Sequence, residues 1–205
     1  MSALVEVFIS RFGKDNIQVI EPKNNEDYPL AIISLNKRSP IKILTTLGLS
    51  DYDQPVPEKF NNCKHIELYF CLPSYWDLDE GNAAMIWVVE WLQKLAKHVV
   101  TKNTWFGEGH TIPNGNPAES FSATMQQKYM FLTKPIFLLE ELDGFKIGDK
   151  EIQFLGILPI FEDEMDYKQG KGTYKLLKKF NDKGITELLD DYRMTCLKNK
   201  WRIFR

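Results

Sequence analysis

The sequence predicts an α+β fold, in which strands and helices pack around one core. Short β-branched runs fill the first half, a helix with a wide apolar surface follows them, and the second half again has strands and then helices. Of the 205 residues, 43% are hydrophobic and 13% are aromatic, which is enough to bury the core of a single domain spanning residues 1–205.

The first predicted elements are short strands bounded by Pro, Asn and Asp. They cover residues 17–20, 30–35 and 41–44, and a loop over 46–57 follows them. The clearest strand is 65–72, HIELYFCL, in which apolar side chains alternate with other types. We therefore expect one face of this strand to lie in the core and the other to be half-covered.

A helix is predicted from about residue 83 to residue 102. Asn82 or Asp79 is suited to cap its start. Its apolar side chains cover more than one face, as in a helix that packs on a sheet with other elements beside it. Lys and His residues occupy its last turns, where the helix dipole favours cations.

The second half contains predicted strands at 129–132, 145–147, 151–154 and 154–161. The Gly-Asp pair at 148–149 is a hairpin signal between the second and third of these runs. Because all four runs are short and strongly apolar or β-branched, we expect them to complete the sheet.

Helices are predicted after the last strand. An acidic cluster opens the first of them, because carboxylates stabilise a first helical turn by about 0.3–1 kcal/mol each. Gly170 and Gly172 are expected to interrupt it before a second helix over 173–180. A short helix is predicted over 186–190. The basic tail is expected to be a last strand or a loose end, and its apolar residues are candidates for pairing with another chain or docking as a strand: Trp201, Ile203 and Phe204.

The composition argues against several kinds of partner. The formal net charge is −2 and the pI is about 6.0, whereas a nucleic-acid-binding domain usually has a basic surplus. No apolar run reaches the roughly 18 residues of a membrane span, and the start lacks a basic signal-peptide region. We therefore expect a cytoplasmic protein that binds neither nucleic acid nor membrane. The three cysteines are expected to be reduced, partly buried thiols: Cys63, Cys71 and Cys196.

The residue patterns suggest no catalytic residues, no metal site and no cofactor. Cys63 and His65 are the single close Cys/His pair, and zinc usually needs four ligands in recognisable pairs. Ser120 and Ser122 lie in no GxSxG motif, and the GKGT sequence at 170–173 lacks the spacing of a phosphate-binding loop. We therefore expect that the protein is not an enzyme.

Residues 105–117, WFGEGHTIPNGNP, are the most unusual segment. Their three Gly, two Pro and two Asn argue against a regular helix or a central strand. Such a segment either packs against the rest of the protein through its own side chains or serves to contact a ligand or partner. Trp105 and Phe106 suit the role of anchors. His110 either hydrogen-bonds backbone carbonyls and holds the loop, or contacts a ligand or partner.

The acidic cluster allows two main interpretations. It is either a solvated helix N-terminus, in which Glu164 pairs with Lys168 one turn later, or an acidic contact patch for a basic partner. The cluster comprises Glu162, Asp163, Glu164 and Asp166.

The order of these segments resembles the suppressor of fused domain family. The family has a Thr–Gly–Ser loop, a strand ending in Leu-Pro, a long helix, a Gly–His loop, a further strand, and an acidic helix start with a glycine-containing helix pair. The matching blocks are 45–57, 65–76, 87–99, 105–117, 129–135 and 154–180. The resemblance is strongest over 45–180. It implies a mixed, mainly antiparallel central sheet flanked by helices, in a chain like the single-domain bacterial members.

The resemblance also implies that the chain works by binding. Bacterial members look like immunity proteins, which bind and neutralise a cognate polymorphic toxin, and the family has no established catalytic residues to carry over. The positions that match its motifs are expected to be mostly structural: Thr46, Gly48, Ser50, Glu67, Leu72, Pro73, Gly109, His110, Pro135, Glu164 and Gly172.

Two functional hypotheses follow. In the first, the chain is a non-catalytic protein-binding domain, an immunity protein whose acidic cluster steers a basic toxin. In the second, it is an uncharacterised enzyme or small-ligand-binding protein with a site around His110 and Glu164, joined by Glu108 and Glu67. The sequence does not indicate an oligomeric state. The partner-binding candidates of the first hypothesis are Tyr52, Tyr75, Trp76, Glu108, Ile112, Asn114, Asn116, Glu162, Asp163 and Asp166.

Overall fold

The computed structural model describes residues 2–24 and 27–197. None of the helices in these ranges is long and apolar enough to cross a membrane. In chain order, their helices and strands are α1 (Ala3–Phe12), β1 (Ile17–Ile20), β2 (Leu30–Asn36), β3 (Pro40–Thr46), β4 (Ile66–Pro73), α2 (Trp87–Thr101), β5 (Thr111–Pro113), β6 (Tyr129–Thr133), α3 (Leu139–Leu142), β7 (Phe145–Ile147), β8 (Lys150–Ile160), α4 (Glu162–Lys171) and α5 (Thr173–Lys183).

The strands form one sheet in the order β1-β2-β3-β4-β8-β6-β5, and β7 pairs with the first residues of β8. Strands β4 and β8 are parallel, from Ile66 opposite Gln153 to Tyr69 opposite Gly156. The other described strand pairs are antiparallel. The predicted fold, a mixed and mainly antiparallel sheet flanked by helices, is therefore confirmed.

The predicted strands are present in both halves of the chain, with one difference in the second half. The runs predicted at 151–154 and 154–161 are one continuous strand, β8, of 11 residues. This length allows β8 to pair with β4, β6 and β7, so it lies in the interior of the sheet and not at an edge.

Helix α2 covers one face of the sheet. Leu68 and Phe70 of β4 belong to the same buried cluster as Val88, Leu92 and Leu95 of the helix. These side chains recur at the spacing of one helical face, which is why the apolar pattern of this segment indicated a helix packed on a sheet.

The predicted start of α2 at residue 83 was too early. The helix begins at Trp87, and the residues before it form turns. Asn82 does not cap the helix with its side chain. Its backbone carbonyl instead accepts hydrogen bonds from the Met85 and Ile86 N–H groups at 3.0 and 2.9 Å, and the Asp79 carboxylate accepts one from the Gly81 N–H at 2.8 Å.

Helix α1, which we did not predict, covers part of the opposite face. The Ser2 hydroxyl accepts a hydrogen bond from the Val5 N–H at 3.3 Å and caps the helix. Phe8 packs against Phe145 and Phe154, with ring centroids 5.5 and 6.0 Å away. Strand β4 is buried on both faces. The prediction of a half-covered face was therefore wrong, because it did not include this helix.

Helices α4 and α5 pack beside β6. Leu176 and Phe180 of α5 share a buried cluster with Phe131 of β6. Gly172, with φ of 90°, separates the two helices. Gly170 lies inside α4, so the predicted interruption applies to Gly172 alone.

The segment after α5 is extended, and the helix predicted over 186–190 is wrong. Leu188 forms a parallel bridge with Cys71, and the Leu189 N–H donates to the Cys71 carbonyl at 2.8 Å. Strand β8 pairs with β4 only as far as Tyr69, so backbone groups farther along β4 are available for this segment. The prediction for the tail, 198–205, concerns residues outside the described ranges.

Candidate functional site

Glu67 is a fully buried carboxylate on β4. Its Oε1 accepts hydrogen bonds from the Gly48 N–H, the Ser50 N–H and the Ser50 hydroxyl at 2.9, 3.1 and 2.7 Å, and the Thr46 hydroxyl donates to Oε2. Burial raises the pKa of Glu67 to about 7, although these hydrogen bonds act to lower it. The motif residues of the Thr–Gly–Ser loop therefore attach this loop to β4.

Glu164, in the first turn of α4, is also fully buried. Arg193 donates to both of its carboxylate oxygens, at 2.8 and 2.7 Å, in a bidentate ion pair. The Phe161 and Cys196 N–H groups add hydrogen bonds of 3.0 and 2.8 Å. These contacts tie the extended segment around Arg193 to the start of α4.

The predicted ion pair between Glu164 and Lys168 is wrong, because Arg193 occupies the carboxylate. Lys168 instead donates to the Thr111 hydroxyl at 3.1 Å. The interpretation of the acidic cluster as a solvated helix N-terminus therefore fails for Glu164, whereas the other three acidic residues are exposed: Glu162, Asp163 and Asp166.

A third buried carboxylate, Glu187, was not among the predicted site residues. It accepts hydrogen bonds from the backbone N–H groups of Ile136, Phe137 and Leu138, each at 3.0 Å, and from the Tyr69 hydroxyl at 3.1 Å. It lies 49 to 51 positions from the backbone donors. No local sequence signal connects residues so far apart.

Residues 105–117 fold against the core as the anchoring interpretation expects. The Gln54 amide accepts a hydrogen bond from the Phe106 N–H at 2.8 Å and donates to the Phe106 carbonyl at 3.2 Å. The Gly109 N–H donates to the Leu132 carbonyl at 2.8 Å. Gly109 has φ of 84°, and a Cβ there would lie 2.9 Å from the Thr173 Cγ2. Only glycine fits this approach without strain.

His110 lies half-buried in the middle of this segment. Its ring packs on Trp105, with centroids 4.5 Å apart. Burial lowers the pKa of His110, and the charge of Lys168 lowers it further, so the ring is neutral near pH 7. Directly after it, β5 pairs with β6 at the end of the sheet, an edge position that the Gly/Pro composition allows.

The structure shows the contacts of several residues of the predicted enzyme or ligand site. Glu67 and Glu164 share no hydrogen-bond partner, and each is held by structural donors. Glu108 lies 3.9 Å from the Lys134 Nζ. Within residues 2–24 and 27–197, no group of three His, Cys, Asp or Glu residues is arranged to hold a metal ion.

A groove of about 670 Å³ lies between the start of α4, residues 124–128 and the extended residues 191–195. Arg193 and Lys128 are the basic residues that line it. Arg193 is neutralised by Glu164, and Lys128 pairs with one groove carboxylate at 2.7 Å. The groove therefore has an excess of negative charge from its four carboxylates, Glu162, Asp163, Asp166 and Asp191.

Exposed apolar side chains lie beside these carboxylates. Tyr192 is 82% exposed and Met194 65% exposed, and both line the groove. The Tyr75 hydroxyl donates to the Asp191 carboxylate at 2.7 Å, so Tyr75 borders the groove. Aromatic and Met side chains are common in protein-binding surfaces because they provide contact area and adapt their shape.

Several predicted partner-binding residues gather at this groove. Glu162, Asp163 and Asp166 line it. The Asn114 N–H donates to the carbonyl of Lys128, another lining residue, at 2.8 Å. The acidic helix start and the end of the Gly–His loop therefore approach the same groove, although they are distant in sequence.

The remaining predicted partner-binding residues do not line the groove. The Tyr52 hydroxyl donates to the Asn103 side chain at 2.8 Å, and Glu108, Ile112 and Asn116 lie on the Gly–His loop. Trp76 is 1% exposed, and its indole N–H donates to the Met85 carbonyl at 3.0 Å. The prediction of Trp76 as a contact residue is therefore corrected, because its ring is part of the core.

Two comparisons with known proteins agree with this architecture. The family model described as "Suppressor of fused protein (SUFU)" matches residues 26–194. Among solved structures, the chain is similar to a chain of "the Sufu-Fu complex crystal structure", with a TM-score of 0.66 and 15% identity over 95% of this chain and 91% of that chain. No curated protein matches the chain significantly. Because the family model spans most of its sequence, the chain belongs to the suppressor of fused family.

Proposed function

We propose that the chain is a non-catalytic protein-binding domain, an immunity protein that binds and neutralises a cognate polymorphic toxin in the bacterial cytoplasm. Family membership supports this proposal, and so does the likeness in fold to a Sufu chain solved in a complex with Fu. The observation that carries it is the acidic groove beside exposed Tyr192 and Met194. This surface offers a partner both charge and apolar contact area.

The two features of the groove make different contributions to binding. The exposed carboxylates attract a basic toxin surface over a distance, which raises the association rate more than the final affinity. Tyr192 and Tyr75 then provide aromatic area to be desolvated in the complex. The hydrogen bond between Tyr75 and Asp191 holds one aromatic side chain in place before binding, which reduces the entropy lost on association.

Neutralisation follows from covering the toxin. A basic toxin surface that is seated on the groove is unavailable to an anionic substrate such as a nucleic acid, which depends on the same charges. The buried carboxylates contribute indirectly in this account. Glu164 holds Arg193 and the extended segment against α4, so the two walls of the groove keep fixed positions relative to each other.

Co-expression with a toxin encoded directly upstream tests the proposal. The wild-type chain should copurify with the toxin and restore growth, as should an Asp149→Asn control, which removes an exposed carboxylate outside the groove. The Asp163→Asn/Asp166→Asn double variant should protect less well. If the wild-type chain gives neither a complex nor protection, the immunity role is wrong.

A further inference from the structure

The sequence contains a single Asn-Gly pair, formed by Asn114 and Gly115. A glycine after Asn favours deamidation, because a residue without a side chain leaves its backbone nitrogen open to the neighbouring carboxamide. This nitrogen attacks the side-chain carbon of the Asn, and water completes the reaction. The pair is therefore a candidate site of covalent modification.

The fold needs both residues of this pair. Gly115 has φ of 94°, and a Cβ there would lie 3.1 Å from the Pro117 carbonyl oxygen, so the turn favours glycine strongly. The Asn114 Nδ2 donates hydrogen bonds to the Glu119 and Ser120 carbonyls, each at 3.0 Å. The Asn114 carboxamide therefore closes residues 114–120 into a loop.

The same geometry leaves the attacking atom free and restrains the group that it attacks. Gly115 is exposed, and its N–H forms no hydrogen bond with any residue of the described ranges. The Asn114 amide nitrogen, which is the leaving group of the reaction, is held by its two hydrogen bonds. We therefore expect the reaction to follow opening of the loop.

We propose that Asn114 is a deamidation site whose modification prevents the 114–120 loop from closing again. When the loop opens, the Gly115 nitrogen bonds to the Asn114 Cγ and the bond from Cγ to Nδ2 breaks. The proton of the Gly115 N–H leaves with the amide group as ammonia, and a cyclic succinimide remains. One water molecule then opens the ring and gives aspartate or isoaspartate at position 114, so water is the sole co-reactant.

The product reverses the hydrogen-bonding character of the side chain. A carboxylate accepts hydrogen bonds and does not donate them, so the Glu119 and Ser120 carbonyls would face a negative charge in place of a donor. In the isoaspartate product the main chain runs through the former side-chain carbon. This displaces the Asn114 carbonyl, which accepts from the Glu119 N–H at 2.8 Å. Either product removes contacts that close the loop, so the change acts in one direction.

Peptide mapping by mass spectrometry tests where and when the reaction occurs. The folded chain and the chain unfolded in guanidinium chloride are incubated in the same mildly alkaline buffer. In the unfolded chain, position 114 should convert faster than every other Asn, and at least about tenfold faster than in the folded chain. Asn116 is an internal control, because the Pro117 nitrogen has no proton to lose and forms no neutral succinimide. Conversion at 114 that is no faster than at other Asn residues, or equal in the two states, would overturn the proposal.

An Asn114→Asp variant tests the consequence for the loop. The Glu119 and Phe121 N–H groups donate to the Asn114 and Gln127 carbonyls at 2.8 and 3.2 Å, and their hydrogen exchange should be about tenfold faster than in the wild type. Asn116→Asp adds the same charge two positions away and should exchange as the wild type does. Unchanged exchange in Asn114→Asp would show that the carboxamide does not close the loop, and it would overturn the proposal.

Aged wild-type protein joins the two measurements. Once position 114 has converted, the exchange at Glu119 and Phe121 should be as fast as in Asn114→Asp, or faster where isoaspartate has formed. Converted protein with the exchange of fresh wild type would mean that the loop closes again, which would contradict a one-way change. All of these measurements use the chain alone, so their outcome does not depend on toxin binding.

Discussion

Replacing Glu164 with Gln should destabilise the protein strongly, because Glu164 joins α4 to the extended segment that forms one wall of the groove. Four donors surround its carboxylate at 2.7–3.0 Å: two Arg193 N–H groups and the N–H groups of Phe161 and Cys196. A Gln amide keeps one acceptor and turns its own N–H₂ toward donors. It also leaves the Arg193 charge uncompensated, with its side chain 7% exposed.

The expected loss is about 4 kcal/mol, since breaking one partner of a buried ion pair costs about 3–5 kcal/mol. Urea unfolding measures it. With a typical slope of about 2 kcal/mol per molar, the midpoint should fall by about 2 M. Asp163→Asn is the matched control, because it neutralises an exposed carboxylate on the same helical turn, and it should change stability by less than about 1 kcal/mol.

A double variant tests the reasoning further. Glu164→Leu with Arg193→Met removes both charges, so it should be more stable than Glu164→Leu alone. If Glu164→Gln costs less than about 1 kcal/mol, or if the double variant is the least stable of the set, the buried pair does not hold the segment and this account of the groove wall is wrong.

Three further predictions concern the sites around the sheet. Glu67 has a pKa raised from 4.5 to about 7 by burial, so the folded state holds a proton that the unfolded state releases. The free energy of unfolding of the wild type should therefore fall by up to about 3 kcal/mol as pH rises from about 4.5 through about 7. The Glu67→Gln variant should lack this pH dependence when its free energy of unfolding is measured with urea. Gly109→Ala should lower stability by about 2 kcal/mol in thermal unfolding, whereas Gly170→Ala, a helical control with open space around it, should be neutral or stabilising. Glu187→Gln should cost about 2–4 kcal/mol and speed amide hydrogen exchange at residues 136–138, and unchanged exchange there would contradict its role.

The sequence predicted the elements whose signals are local. Alternation along β4, β-branched runs and the wide apolar surface of α2 identified most strands and the main helix, because those patterns follow from strand and helix geometry. Helix α1 also has a local signal, in the Ser2 cap and the spacing of Leu4, Val5 and Phe8.

The candidate site was less predictable because it depends on contacts between distant residues. Nothing near Glu164 in sequence indicates that its carboxylate pairs with Arg193, 29 positions later, and not with Lys168. The extended segment after α5 owes its conformation to Cys71 on β4. The acidic residues of the groove could be chosen from sequence, but the exposed Tyr192 and Met194 beside them could be found only in the structure.

The central claim is that the acidic groove is the surface that binds a protein partner. Backbone amide chemical shifts of the labelled chain, recorded as the upstream-encoded toxin is added, test it most directly. The account predicts that the largest shift changes fall on residues 124–128, 161–166 and 191–195, the segments that line the groove. Changes concentrated on the Gly–His loop at 105–113, with the groove unaffected, would contradict it.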